Sequence, residues 1–479
     1  MTELISRRTL LKATAVGAPA ALLAACGPVG TASSAPPASA PPSSGASAGA
    51  SSSPVITPSA APLTGQLSWL TWTASGPYTD LPTKIIEAFT KKNPGVTISL
   101  DQQPAGAPYL EKLLALKATG RVPDIIADES GSSQTLAQKG VTLDLTTLFA
   151  QSPDFPVSDF YSQMIAAGST VALGGMPAGE LHLLGMSVDV WMILFNLDML
   201  KDANLPLPEE SWTYADLADY ARKLTKRDAS GKTTRWGLAC LPDNADQLAN
   251  TMAASGSKLL DDATQTLPAD EKFAAALDVY WAGVKDGSII SAEDVGALGG
   301  DWQAAFVAEK AAMLQGAIWS TPSIKAIKSP WDVNVMPVGP GGQYSAGGCA
   351  GWAITKDSQN QALAWELMKY IFSPEGFAIW TTDHSVTPPK RSLKDTPWAP
   401  PIPHAQRYID AIQHMYIQPR GPVYDSSGIW YSGLADTYNE YVVQKKPLAT
   451  AVANLKTKID AGLKTDPAAS VPVPTDPVN

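Results

Sequence analysis

Cysteine is scarce here, with three in 479 residues, and there are only four histidines. No C-x-x-C, H-E-x-x-H or Walker loop occurs. The chain therefore lacks the short signatures of zinc, dithiol or nucleotide chemistry, and neither a cofactor nor a metal is expected. His404 and His414 lie ten positions apart, the wrong spacing for a helical ligand pair, and read as surface or packing residues. Positive charge is in deficit, with 35 Lys and Arg against 45 Asp and Glu, a formal charge of −10. The cations are scattered and form no basic stripe, which argues against a nucleic-acid partner. No internal repeat is found, as a scaffold or adhesin would require. Apolar runs of membrane length are also missing. The stretch Ala13 to Ala25, interrupted by Gly17 and Pro19, covers 13 residues, where a span needs roughly 20.

That short run makes sense as an export signal. Arg7-Arg8 precedes it, and Leu23-Ala24-Ala25-Cys26 follows it. A basic start, a brief apolar core and small residues at the cleavage site mark a signal peptide, not a fold element. The paired arginines resemble a Tat signal. Leu-Ala-Ala-Cys resembles a bacterial lipobox, which implies cleavage before Cys26 and lipid attachment to its sulfur. From Gly27 to Pro62 the chain is almost all Ala, Ser, Pro, Gly and Thr, without charge or aromatic residues. Such a segment buries too little surface to offset its ordering entropy and reads as a tether. Gly45-Ala46-Ser47-Ala48-Gly49 matches a nucleophile elbow by letter, but a linker supplies no strand-turn-helix context for one.

The body, from Leu63 onward, is about 415 residues long, enough for two domains or lobes. Its cysteines are Cys240 and Cys349. An even number outside the cytoplasm permits one disulfide, and two buried thiols are the alternative. A strand at Gln66–Trp72, a turn at Ser75–Tyr78 and a helix at Leu81–Lys92 open the body. A strand at Val96–Leu100 follows, then a helix at Tyr109–Thr119 with Leu110, Leu113 and Leu114 inward, and a strand at Pro123–Ala127. Strands and helices alternating at this spacing indicate parallel β-α-β units. Ligands then sit beyond the carboxyl ends of the strands.

The segments "KKNPGVTI", "YLEKLLALKATGRVPDII", "WMILFNLDML", "SWTYADLADYARKLT", "FVAEKAAMLQGAIWS" and "VMPVGPGGQYSAGGCAGWAI" occur in this order, the last followed by "ALAWELMKYIFSPEGFAIW". In this order they resemble the extracellular solute-binding proteins of family 1, the sugar-binding lipoproteins of ABC importers. Glu309-Lys310 stands where that family has Gly-Lys, and Asp216 where it has Glu. The resemblance implies an α/β, two-lobed periplasmic-binding-protein-like fold with the ligand cleft between the lobes. It implies a signal peptide over 1–25, then Cys26 and the linker over 26–62. Lobe 1 would hold 63–190 and 352–394, and lobe 2 would hold 191–351 and 395–479. The crossovers near Trp191–Asn196 and Ala350–Thr355 would carry a hinge.

Fourteen tryptophans are present. Trp72, Trp302, Trp319, Trp352 and Trp430 stand at strand ends or beside small-residue segments. An aromatic face suits the C–H face of a sugar ring, and nearby carboxylates take its hydroxyls. The resemblance places these loops around the cleft, with Tyr78. Asp128, Glu129 and Asp243 are the expected polar contacts. Asp301 reads as a helix cap, and Trp281 and Trp365 as core residues. Thr213-x-x-Asp216 reads as a helix start, and Leu448, Val452, Leu455 and Ile459 as one apolar helical stripe. The expected protein is a monomeric, non-enzymatic sugar receptor, lipid-anchored on the extracytoplasmic face and delivering to a permease. The alternatives are an exported carbohydrate-active enzyme and a receptor for a non-sugar solute. Adjacent Asp128 and Glu129 point to opposite strand faces, a poor pair for glycoside hydrolysis.

Overall fold

The computed structural model describes residues 62–73, 80–104, 107–381, 386–396, 403–425 and 428–476, all within one compact unit, 53–479. Tyr78, Cys26, the arginine pair and the linker up to 61 lie outside the described residues.

Strand β1 (Thr64–Thr73) leads to helix α1 (Leu81–Lys92), strand β2 (Gly95–Pro104), helix α2 (Ala107–Ala118) and strand β3 (Ile125–Glu129). In α1 the residues Leu81, Ile85 and Phe89 recur every four positions and form its buried face. The Asn93 side chain closes the helix by donating to the Phe89 carbonyl at 2.9 Å. Helix α2 turns differently from expectation. Tyr109 and Leu113 are buried while Leu114 faces solvent. The Tyr109 hydroxyl decides this, because it donates at 2.7 Å to the carbonyl of Ala127 on β3. β1 pairs in parallel with both β2 and β3, as the alternating pattern predicts.

β4 (Leu184–Asn196) is the long strand of the sheet. Helix α3 (Tyr214–Leu224) opens on a complete capping box between Thr213 and Asp216. Strand β5 (Thr233–Ala239), helices α4 (Ala245–Ser255) and α5 (Glu271–Asp286), and strands β6 (Ala311–Ala317) and β7 (Trp331–Val335) follow. Strand β8 (Ser345–Ile354) then precedes helices α6 (Gln361–Ile371), α7 (Ile429–Tyr438) and α8 (Leu448–Thr465). The sheet runs β2-β1-β3-β8-β4-β6-β5, with β7 on β4. β8 enters antiparallel to both β3 and β4, so the sheet is mixed at its centre.

Two strands cross the middle of the molecule. β4 pairs with β8 over Leu184–Val190, then with β6 and β7 from Trp191 to Asn196. Its change of partner falls at Val190/Trp191. Glycine is required on β8. A side chain at Gly348 would collide with Ser130 Oγ, and one at Gly351 with the Leu184 carbonyl.

Two apolar clusters form the core. One gathers Trp69, Ile85, Phe89, Trp352, Trp365 and Trp380. The other gathers Phe273, Trp281, Trp430, Leu455 and Ile459. Trp281 and Trp365 are core residues as expected, and Val452, Leu455 and Ile459 form the buried stripe of α8. The last described residues return to the first cluster. Val471 and Val473 pack against it, and Gln163 donates to the Pro474 carbonyl. Cys240 and Cys349 are buried free thiols, the second of the two alternatives.

Candidate functional site

A cleft of about 760 Å³ opens at the carboxyl ends of β1 and β3 and along the middle of β4 and β8. Tyr109 reaches from α2 to the carbonyls of Leu70 and Ala127 and so ties the ends of β1 and β3 together. This sets Trp72 and Asp128 on one side of the cleft. Trp72 stands edge-on to Tyr109, 5.5 Å between ring centres. On another stretch of the wall, Trp319 stands edge-on to Trp191 at 5.6 Å and to Trp302 at 6.0 Å. Trp72, Tyr109, Trp191 and Trp319 all line the cleft.

The polar lining is dominated by carboxylates. Asp128 ends β3 and is 1% exposed. Its Oδ1 accepts from the Glu129 N–H at 2.8 Å and the Ser132 hydroxyl at 2.7 Å. Its Oδ2 is buried without a hydrogen-bond partner. Burial pushes this carboxyl up to about 7, against those two hydrogen bonds. Asp189 on β4 is partly open to the cleft yet surrounded by protein, and desolvation raises it to about 7 as well. Its Oδ1 accepts from the Ser187 hydroxyl at 3.0 Å. Asp246, in the first turn of α4, is raised by burial although Gln418 Nε2 and the Tyr431 hydroxyl both donate to its Oδ1, at 2.8 and 2.7 Å. Glu129 completes the set. Arg420 is the cation among the described lining residues. Its guanidinium is buried and donates to the Ala167 carbonyl.

Of the expected contacts, Trp72, Asp128, Glu129 and Trp319 are brought together in this cleft. Four others, Trp302, Trp352, Trp430 and Asp243, are placed differently. Trp302 is half-buried behind Trp319, its indole N–H donating to the Gln315 carbonyl at 2.9 Å. Trp352 is 3% exposed, wedged between Trp69 at 4.6 Å and Trp380 at 5.7 Å. It sits on an inner strand covered on both faces, so its indole is core. Trp430 is fully buried, because it begins the inward stripe Trp430, Leu434, Tyr438 of α7 instead of ending a loop. Asp243 is half-buried outside the lining. The Asn244 side chain caps α4, and this turn presents Asn244 and Asp246 to the cleft instead. Asp301 serves the backbone, accepting from the Gln303 N–H at 3.0 Å.

Sequence reading missed Asp189, Asp246, Gln418, Arg420 and Tyr431, and took Trp191 only as a crossover residue. Asp189 did carry a signal. It is a lone carboxylate inside the apolar strand "LGMSVDVWMILFN", and such a charge is costly there unless it serves something. Arg420 and Gln418 follow the two-residue strand Met415–Tyr416, which no periodicity marks. Among the described residues, no three or more His, Cys, Asp and Glu side chains are gathered as metal ligands would be.

A mixed sheet whose strand ends open on one aromatic and carboxylate-lined cleft defines a binding protein of the two-cluster α/β type. The chain belongs to the family of bacterial extracellular solute-binding proteins, whose pattern matches residues 84–406. Its working place is therefore outside the cytoplasm, and no described helix is long and apolar enough to cross a membrane. Three of the solved structures that share the fold illustrate this. The ABC substrate-binding protein Lmo0181 from Listeria monocytogenes, in complex with cycloalternan, superposes with a TM-score of 0.71 at 20% identity, covering 84% of this chain and 99% of that one. The sugar-binding protein MalE from Xanthomonas citri gives 0.70 at 18% identity, covering 84% and 98%. The GacH receptor of Streptomyces glaucescens, studied with acarbose, gives 0.69 at 20% identity, with the same coverage.

Proposed function

We propose that this protein is a lipid-anchored receptor that binds a sugar or oligosaccharide in the cleft and delivers it to the permease of an ABC importer. The observation that carries this reading is the pairing of indole faces with carboxylates in one cleft. Trp72, Trp191 and Trp319 supply flat apolar surfaces, and Asp128, Asp189 and Asp246 supply acceptors for hydroxyls. A volume of about 760 Å³ accommodates more than one sugar ring. Similar structures are complexes with cycloalternan, acarbose and maltotriose, which supports the same class.

Two lobes would close on the ligand, divided near Val190/Trp191 and Gly351/Trp352, with β4 and β8 as the crossings. The partner change on β4 falls at the first of these. The closed form gains stability only from contacts the ligand makes better there than in the open form. Cys26, after Leu23-Ala24-Ala25, would carry the lipid, and the segment to Pro62 would be the tether. Export would follow the twin-arginine route, and the receptor would act as a monomer.

The test is calorimetry and thermal shift on the full-length protein against a library of mono- and oligosaccharides. Binding that raises the melting point of the folded state is expected. Recovery of shortened sugars after incubation would instead establish the enzyme reading.

A further inference from the structure

Among the described residues lining the cleft, four are carboxylates, Asp128, Glu129, Asp189 and Asp246, and one is a cation, Arg420. Arg420 is itself held by other groups. Its guanidinium is buried, donates to Ala167, and faces both Asp128 and Asp425, the latter outside the lining. Burial is the largest cause raising Asp128, Asp189 and Asp425, and the charge of Glu129 adds to the rise of all three. These carboxylates therefore sense one another across the strand ends. The Oδ2 of Asp128, a side chain 1% exposed, makes no hydrogen bond. Beside them stand the rings of Trp72, Trp191 and Trp319, whose faces attract cations.

We infer that the sugar selected by this cleft carries a protonated amine, seated among Asp128, Glu129 and Asp189 beside the tryptophans. This rests on the sugar-receptor reading above and narrows it. A hydroxyl satisfies a lone acceptor but leaves the mutual repulsion that helps raise Asp128 and Asp189 in place. An ammonium group supplies donors and charge together, and charge-assisted bonds of this kind are the stronger ones. A uronate or a phosphorylated sugar would instead add a negative charge beside Asp128 and Asp189.

The experiment compares ligands with and without that charge. Glucosamine oligomers and their N-acetylated counterparts are titrated into the full-length protein at neutral pH, alongside maltotriose, mannobiose and an oligouronate. At least tenfold tighter binding of the free-amine form than of the acetylated form is expected, and the preference should shrink as salt is added. Asp128→Asn, which keeps the acceptor for Ser132 and Glu129, and Asp189→Asn should each reduce the preference, with thermal melting confirming that the variants are folded. Equal or tighter binding of the acetylated, neutral or uronate sugars overturns this inference and leaves the sugar receptor standing. Binding of no saccharide overturns both, whether or not a simple polyamine such as spermidine binds.

Discussion

The indole N–H of Trp430 donates to Gln418 Oε1 at 2.7 Å, and Gln418 Nε2 in turn donates to Asp246 at 2.8 Å. A core tryptophan thus orients a cleft residue and, through it, a cleft carboxylate. Trp430→Phe should keep most of the packing against Phe273 and Tyr424 but release Gln418. Weaker oligosaccharide binding with a modest drop in melting temperature is expected. Trp430→Ala should cost about 3–5 kcal/mol of stability, as for other large-to-small core changes, measurable by denaturant unfolding. Unchanged binding in the Phe variant would show that the indole only fills space.

Trp319 should behave in the opposite way. It is partly exposed on the cleft wall, flanked by Trp191 and Trp302. Trp319→Ala should weaken ligand binding by about tenfold or more, with stacking taken as about 1–3 kcal/mol by analogy with base–aromatic contacts. The unliganded melting temperature should move little. Loss of folding with normal binding in the surviving fraction would contradict the assignment.

Stability should fall as pH rises through the weakly acidic range. The carboxyls of Asp128 and Asp189 stand at about 7 in the folded protein against an ordinary 3.8. Between those values the folded state holds protons that the unfolded chain has released, so their contribution is full below about pH 4 and is lost as pH climbs to about 7. Melting curves across that window should show the decline. Asp128→Asn combined with Asp189→Asn should flatten it, and an equally steep profile in the double variant would exclude these two groups as its source.

The thiols of Cys240 and Cys349 are buried, and burial pushes both well above the usual range. Neither should react with a thiol reagent in the native protein, and both should react after unfolding without reductant. Failure of both to react in denaturant would indicate a covalent link.

Cys26→Ser should leave the protein without acyl groups and either unprocessed or released from the membrane, as read by mass spectrometry of the N-terminus. Replacing Arg7 and Arg8 together by Lys should strand precursor in the cytoplasm. Normal export of that variant would point to the general secretory route.

Much was legible in the sequence because it is encoded within a few residues. Ile85, Ile86 and Phe89 read as one apolar face of α1, of which Ile85 and Phe89 are buried and Ile86 half-buried, and Thr213 with Asp216 specified the start of α3. Alternating strands and helices announced the parallel pairing of β1 with β2 and β3. The strand ends at Trp72 and Asp128 could be named as cleft positions because a parallel unit presents its carboxyl ends to one side. What the tertiary structure alone decided were matters of partnership between distant segments. Trp319 and Trp430 both follow small residues, yet one meets the cleft and the other begins a buried helical stripe. Asp189 joins Asp128 only because β8 inserts between β3 and β4, bringing Gly348 beside Asp189 and Gly351 beside Asp128. Local periodicity sets which face of an element is apolar. Which carboxylates share a cleft depends on strand order and on contacts between residues more than a hundred positions apart, and no short-range pattern carries that information.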